Sequence, residues 1–149
     1  MDAVVLAAGE GERLAPLTES RPKPMLPAAN RPILSYVFDA LVAADVDSLV
    51  VVIGYERDHI RDQFGNAYGD TPIEYVVQEK QLGSGHALRK AKGAVDGPFL
   101  VVNGDQIVAP EMVAAVRDAY DPDSAVGAIG AIEHEDAAEY GTVAIEAGT

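Results

Sequence analysis

The sequence predicts an α/β fold, a Rossmann-like three-layer αβα sandwich built on a mostly parallel sheet. Three observations carry that reading. Apolar runs of strand length alternate with segments of helical periodicity along the 149 residues, and such alternation argues parallel strands with helices on both faces. The first run, Asp2–Ala7, is apolar at successive positions, as a strand buried on both faces should be. Residues with chemical potential follow strands one, three and four, at the carboxyl edge where such sheets bind ligands.

The elements follow in order. After Asp2–Ala7, residues 8–32 read as a long loop rich in Gly and Pro, and a loop of that length in a compact domain is usually functional or mobile. Leu34, Val37, Phe38, Leu41 and Val42 give helical spacing over Ile33–Ala44. Ser48–Ile53 is a second strand. Glu56–Phe64 is a short helix with Ile60 and Phe64 one turn apart. Ile73–Val77 is a third strand. Ser84–Lys92 is a helix with Ala87, Leu88 and Ala91 inward and Ser84 as its N-cap. Phe99–Val102 is a fourth strand, ending at Asn103-Gly104-Asp105. Pro110–Tyr120 is a helix with Pro110 in its first turn. Ala125–Ile132 and Thr142–Ile145 are a fifth and a sixth strand. No internal repeat, low-complexity tract or linker interrupts the series.

The chain has the length of one domain and enough apolar residues, 48%, to build a core. It contains no cysteine, so disulfides, thiolate zinc sites and cysteine nucleophiles are excluded. No stretch approaches the roughly 20 apolar residues of a membrane span. A strand beginning at residue 2 without a basic leader argues against a secretory signal. A cytoplasmic protein with no membrane partner is the expectation. The net charge of −13 disfavours nucleic acid, whose phosphates present dense negative charge. The sequence leaves a homo-oligomer open.

Acidic residues are spread along the chain and only 4 lysines accompany them. That balance suits a high-salt, halophilic setting, where screening over a few ångströms tames self-repulsion. Stability should therefore rise with KCl concentration. A melting temperature that is high in dilute buffer and indifferent to KCl is the contrary result.

The exit from the first strand, Ala8-Gly9-Glu10-Gly11-Glu12-Arg13-Leu14, carries the chemistry. Glycines there let backbone N–H groups approach a polyphosphate closely. A P-loop is excluded, because no lysine follows the glycines in the required G-x-x-x-x-G-K-[ST] order. A dinucleotide turn fits less well: Leu14 stands where the third small residue belongs, and Glu56, the acid nearest the end of the second strand, reads as the start of a helix. By spacing alone, Gln78–Ser84 is a polar loop capped into a helix, Asp105 sits in a common Gly-Asp turn, and Arg13, Arg21 and Lys23 are surface cations. In a chain with 11 cations that last reading is weaker than usual.

The segment Leu6–Leu34 resembles the opening of the sugar-1-phosphate nucleotidyltransferase family, which includes glucose-1-phosphate thymidylyl- and uridylyltransferases and N-acetylglucosamine-1-phosphate uridylyltransferases. The matching residues are Ala8, Gly9, Gly11, Arg13, Leu14, Pro16, Leu17, Thr18, Lys23, Pro24, Pro32 and Ile33. Glu12 departs from the family's Ser or Thr. A carboxylate repels phosphate, so its backbone N–H is the group expected to serve. Gln78 to Leu88 resembles the family's second motif, and Glu139-Tyr140-Gly141-Thr142-Val143 its Tyr-Gly-x-[VI].

The resemblance implies a reaction. A sugar-1-phosphate oxygen attacks the α-phosphorus of an NTP in line, pyrophosphate leaves and an NDP-sugar forms. It implies nucleotide contacts from Leu6, Ala8, Gly9, Gly11, Glu12, Arg13, Gln78, Gly83 and Ser84, with Gly141 on the sugar. Arg13 and Lys23 are the implied transition-state cations, and Asp105 the ligand of a Mg2+ cofactor. No general base is needed, since the phosphate nucleophile is already ionised. Gln78 can address a pyrimidine carbonyl and N–H together, so UTP or dTTP is expected before GTP. The implied domain spans 1–149, while the family's further sugar-binding residues and second metal-binding aspartate lie beyond it. Two alternatives remain: a nucleotide-binding module completed by a partner chain, and a Rossmann-type NAD(P) oxidoreductase.

Overall fold

The computed structural model describes residues 1–9, 11, 14–18, 20–133, 135 and 143. The chain divides into two compact units, Met1–Ala114 and Ala115–Thr149. The first contains the sheet. Its strands are β1 (Asp2–Ala7), β4 (Leu49–Ile53), β6 (Thr71–Val77) and β7 (Phe99–Asn103), with a short β5 (Ala67–Tyr68). They lie in the order β5-β6-β4-β1-β7. β1 pairs in parallel with both β4 and β7, β4 pairs in parallel with β6, and β5 runs antiparallel to β6. The mostly parallel sheet is the one expected.

Continuous apolar runs produce it. Val4, Val5 and all five residues of β4 are buried, which is the signature of strands covered on both faces. Each fully buried valine side chain contributes about 1.5–3 kcal/mol relative to exposure. In register, Val4 lies opposite Val50. These two, with Val52, pack with Ala87 and Ala91, and Leu88 and Val76 close the cluster. Ala87 and Leu88 belong to α3 (Ser84–Lys90), which passes into a 3-10 turn at Ala91–Gly93. The helix expected to run on to Lys92 therefore tightens in its last turn, as helix ends often do. Its N-cap is Gly83, without a side-chain cap bond, and Ser84 is its first residue; the expected serine cap is corrected.

The helices α1 (Ile33–Ala43) and α2 (Arg57–Phe64) bury Leu34, Val37, Phe38, Leu41, Ile60 and Phe64. Phe38 meets Phe64 edge-on at 4.9 Å and Tyr68 at 5.3 Å, a geometry that aligns ring edges with ring faces. α4 (Pro110–Ala119) begins at its proline, as expected.

The long loop is more structured than its composition suggested. A 3-10 turn at Lys23–Met25 precedes a small hairpin of β2 (Pro27–Ala28) and β3 (Arg31–Pro32). Polar side chains tie that hairpin down. Arg31 pairs with Asp39 at 2.9 Å and donates to the Tyr68 hydroxyl at 3.0 Å. Tyr68 donates to Asp39 at 2.6 Å, and Tyr36 donates to the Ala28 carbonyl at 2.8 Å. Burial, then the bond to Asp39, pushes the Tyr68 hydroxyl above its ordinary pKa, so it remains a donor. The cluster joins β3 to α1 and β5, and so fixes the segment that carries Lys23.

The fifth strand expected at Ala125–Ile132 is not formed. Those residues carry no strand, and Val126, Ile129 and Ile132 are exposed. Apolar composition favours an extended chain but does not supply ladder partners, and among the described residues none pairs with this segment. The sixth strand, Thr142–Ile145, lies outside the described residues apart from Val143, which is in no strand.

Candidate functional site

The carboxyl ends of β1, β6 and β7 open onto one cavity of about 720 Å³, within the first unit. This is an ordinary size for a small-molecule site. The residues singled out in sequence converge there: Leu6, Ala8, Gly9, Gly11, Lys23, Gln78, Gly83, Ser84 and Asp105 all line it. Glu12, Arg13 and Gly141 lie outside the described residues.

The glycine turn is held against the lysine segment. Gly11 has φ +67°, and a Cβ there would come within 3.0 Å of both Lys23 Cβ and Thr18 Cγ2. Only glycine accepts that backbone together with that approach. The buried Thr18 hydroxyl donates to the Gly11 carbonyl at 3.0 Å, which straps the turn down. At the end of β7, the Gly104 N–H donates to the Leu6 carbonyl at 2.9 Å. That bond continues the β1–β7 pairing and places Asp105 at the rim. Lys23 Nζ meets Asp105 Oδ2 at 2.5 Å, with side chains 37% and 30% exposed. A pair this open adds little to stability. What it does is bring a cation and a carboxylate to one point of the cavity wall.

The opposite wall follows β6. The Gln78 N–H donates to the Ile53 carbonyl at 2.8 Å, and the side chain is 2% exposed. Its Nε2 donates to the Gly83 carbonyl at 3.2 Å and lies 2.9 Å from His86 Nδ1. At least one of the two amide donors expected to serve a base is therefore engaged inside the protein, by the Gly83 carbonyl.

Sequence reasoning missed several residues. Leu14, Pro24, Gln81, Ala87 and Asn103 also line the cavity. Gln81 matters most, because its Nε2 donates to the Ala8 carbonyl at 2.6 Å and so joins the two walls. The signal was its place in the same polar run as Gln78. Gly54, at the end of β4, was also missed as a site residue. A Cβ on it would stand 2.7 Å from Gln81 Nε2, 2.8 Å from the Ala8 carbonyl oxygen and 3.1 Å from that of Gln78.

The donor set also bears on a metal. Among the described residues no group of three or more His, Asp or Glu side chains converges as a metal site. Asp105 is the one carboxylate among the described residues lining the cavity. A single carboxylate does not cage an ion, but it fits a magnesium ion that keeps its waters and is shared with substrate phosphates.

Comparison with known proteins agrees with this geometry. The Nucleotidyl transferase family profile matches residues 2–149, and the chain belongs to that family. It is 50% identical over 107 residues to the bifunctional protein GlmU of Methanococcus vannielii, covering 72% of this chain and 25% of the relative. It is 38% identical over 142 residues to the UTP–glucose-1-phosphate uridylyltransferase AglF of Haloferax volcanii, covering 95% of this chain and 58% of that protein. The chain thus spans about a quarter of the GlmU relative and little more than half of AglF. In structure it matches a UDP-glucose pyrophosphorylase complexed with UDP-glucose, with a TM-score of 0.69 and 24% identity over 78% of this chain and 52% of the other. That likeness shows the fold. Family membership removes the oxidoreductase alternative.

Proposed function

We propose that residues 1–149 form the nucleotide-binding part of a sugar-1-phosphate nucleotidyltransferase, taking an NTP and a sugar-1-phosphate to an NDP-sugar and pyrophosphate. One observation carries this reading: a glycine turn, a Lys–Asp pair and a buried glutamine face one cavity at the carboxyl edge of the sheet. Each matches a part of a triphosphate substrate. Backbone N–H groups at Gly9 and Gly11 suit phosphate oxygens. Lys23 acts as a point charge on them. Gln78 and Gly83 lie at the end suited to a base, and UTP or dTTP is the favoured nucleotide.

Asp105 would hold Mg2+ here, and when bound the ion supplies charge neutralisation on the phosphates. The chain's own residues do the rest. Lys23 stabilises charge spreading over the oxygens of the reacting phosphorus, with Arg13 in the same role. The turn fixes the triphosphate so that the sugar phosphate can approach in line. No described helix is long and apolar enough to cross a membrane, and a cytoplasmic site with access to the NTP pool fits the reading.

A second reading has a specific observation behind it. The chain spans 25% of the GlmU relative, and on this reading nucleotide binding resides here while the sugar pocket is completed by residues elsewhere. Pyrophosphate release separates the two. UTP or dTTP with Mg2+ and glucose-1-phosphate or N-acetylglucosamine-1-phosphate should yield pyrophosphate. NTP binding without release under any sugar phosphate indicates the binding module.

A further inference from the structure

Gln78 and His86 together give the base end of the cavity a polarity. A backbone carbonyl oxygen only accepts hydrogen bonds. The amide group 3.2 Å from the Gly83 oxygen must therefore be the NH2 of Gln78, and the direction of the amide follows from its partner. The same nitrogen lies 2.9 Å from His86 Nδ1. Its second hydrogen is available there, so Nδ1 has to present a lone pair and the ring proton sits on Nε2. Both donors of the amide are then engaged within the protein. What Gln78 keeps for a ligand is its Oε1, an acceptor.

We infer that His86 is a positioning residue that holds the Gln78 amide with its oxygen free for the base, so that the cavity selects nucleobases carrying a ring N–H, such as uracil, thymine or guanine, over cytosine. The inference rests on the reading of this cavity as an NTP site. Uracil N3–H can donate to Oε1. Cytosine presents an acceptor at the same ring position, which leaves two lone pairs facing each other. A site built to bond a donor rejects the analogue lacking it, because a buried polar group is left unpaired. His86 does this without touching the base: its lone pair, with the Gly83 carbonyl, opposes the amide flip that would let Gln78 serve either pyrimidine.

Two measurements on the full 149-residue chain test it. Long-range 1H–15N correlation on the ligand-free protein should show neutral His86 as the Nε2–H tautomer; an Nδ1–H tautomer overturns the inference. Calorimetry with magnesium UTP and magnesium CTP should give at least a roughly tenfold preference for UTP, and equal affinities overturn it. His86→Leu should bring the ratio toward one, while His86→Asn, whose Oδ1 can accept the same hydrogen, should restore part of it. Should His86→Leu fail to fold, the tautomer and the wild-type ratio still decide. Binding of neither nucleotide sinks the NTP reading and the base preference with it. That failure is distinguishable, since the tautomer is read without ligand.

Discussion

Lys23→Ala should lower turnover at least about a hundredfold and leave the melting temperature nearly unchanged. The catalytic loss is the size seen when one fixed group that stabilises transition-state charge is removed. The small effect on stability follows from exposure: the Lys23 and Asp105 side chains are 37% and 30% exposed, and such pairs contribute between nothing and about 1 kcal/mol. Asp105→Ala should match it in turnover, because a cation brought with the triphosphate would lose its protein ligand. The two substitutions should not be additive, since both act on one phosphate group. Kinetics and thermal unfolding of the two single variants and the double variant check this. Parallel loss of fold and activity would mean that the pair is structural.

Gly54→Ala should damage the site from beneath, without touching any substrate. The added methyl would meet the Ala8 carbonyl oxygen at 2.8 Å and the Gln78 carbonyl oxygen at 3.1 Å, both backbone, besides the Gln81 amide at 2.7 Å. The amide can swing away, but the carbonyls move only with their segments, which are the first-strand exit and the loop after β6. Overpacking of this kind costs about 1–3 kcal/mol. The larger effect should be on binding: displacing these walls separates the groups proposed for phosphate and base, and a shift of about 1 Å can cost a hundredfold in rate. Pairing Gly54→Ala with Gln81→Ala relieves one of the three contacts only, so recovery should be partial. Full recovery would mean that the carbonyls yield freely. A KM for UTP equal to that of the parent would contradict the close approach.

Why some of this was readable in sequence and some was not has a physical pattern. β1 and β4 were plain because strands buried on both faces need unbroken apolar runs, which residues 3–7 and Leu49–Ile53 supply. Lys23, Gln78, Gly83 and Asp105 were legible through the resemblance to the nucleotidyltransferase family, since by spacing alone they read as surface cation, polar loop and common turn, and the sheet brings all four to one cavity. Gly54 and Gln81 were not legible as a pair, since their meeting with Ala8 depends on how three chain segments cross. The tie between Arg31, Asp39 and Tyr68 was hidden for the same reason. Ala125–Ile132 misled because its apolar residues resemble a strand, whereas a strand is made by the ladder bonds of its backbone, which composition does not supply. The direction of the Gln78 amide could not be read from residue type, because an amide offers donor and acceptor alike. Its two partners decide it.

Crystals of the chain grown or soaked with magnesium UTP address the nucleotide site itself. The triphosphate should lie over Gly9 and Gly11 with an oxygen in reach of Lys23 Nζ, and the uracil should rest against Gln78 and Gly83. A nucleotide bound elsewhere, or a cavity filled by the chain's own residues, would contradict the assignment.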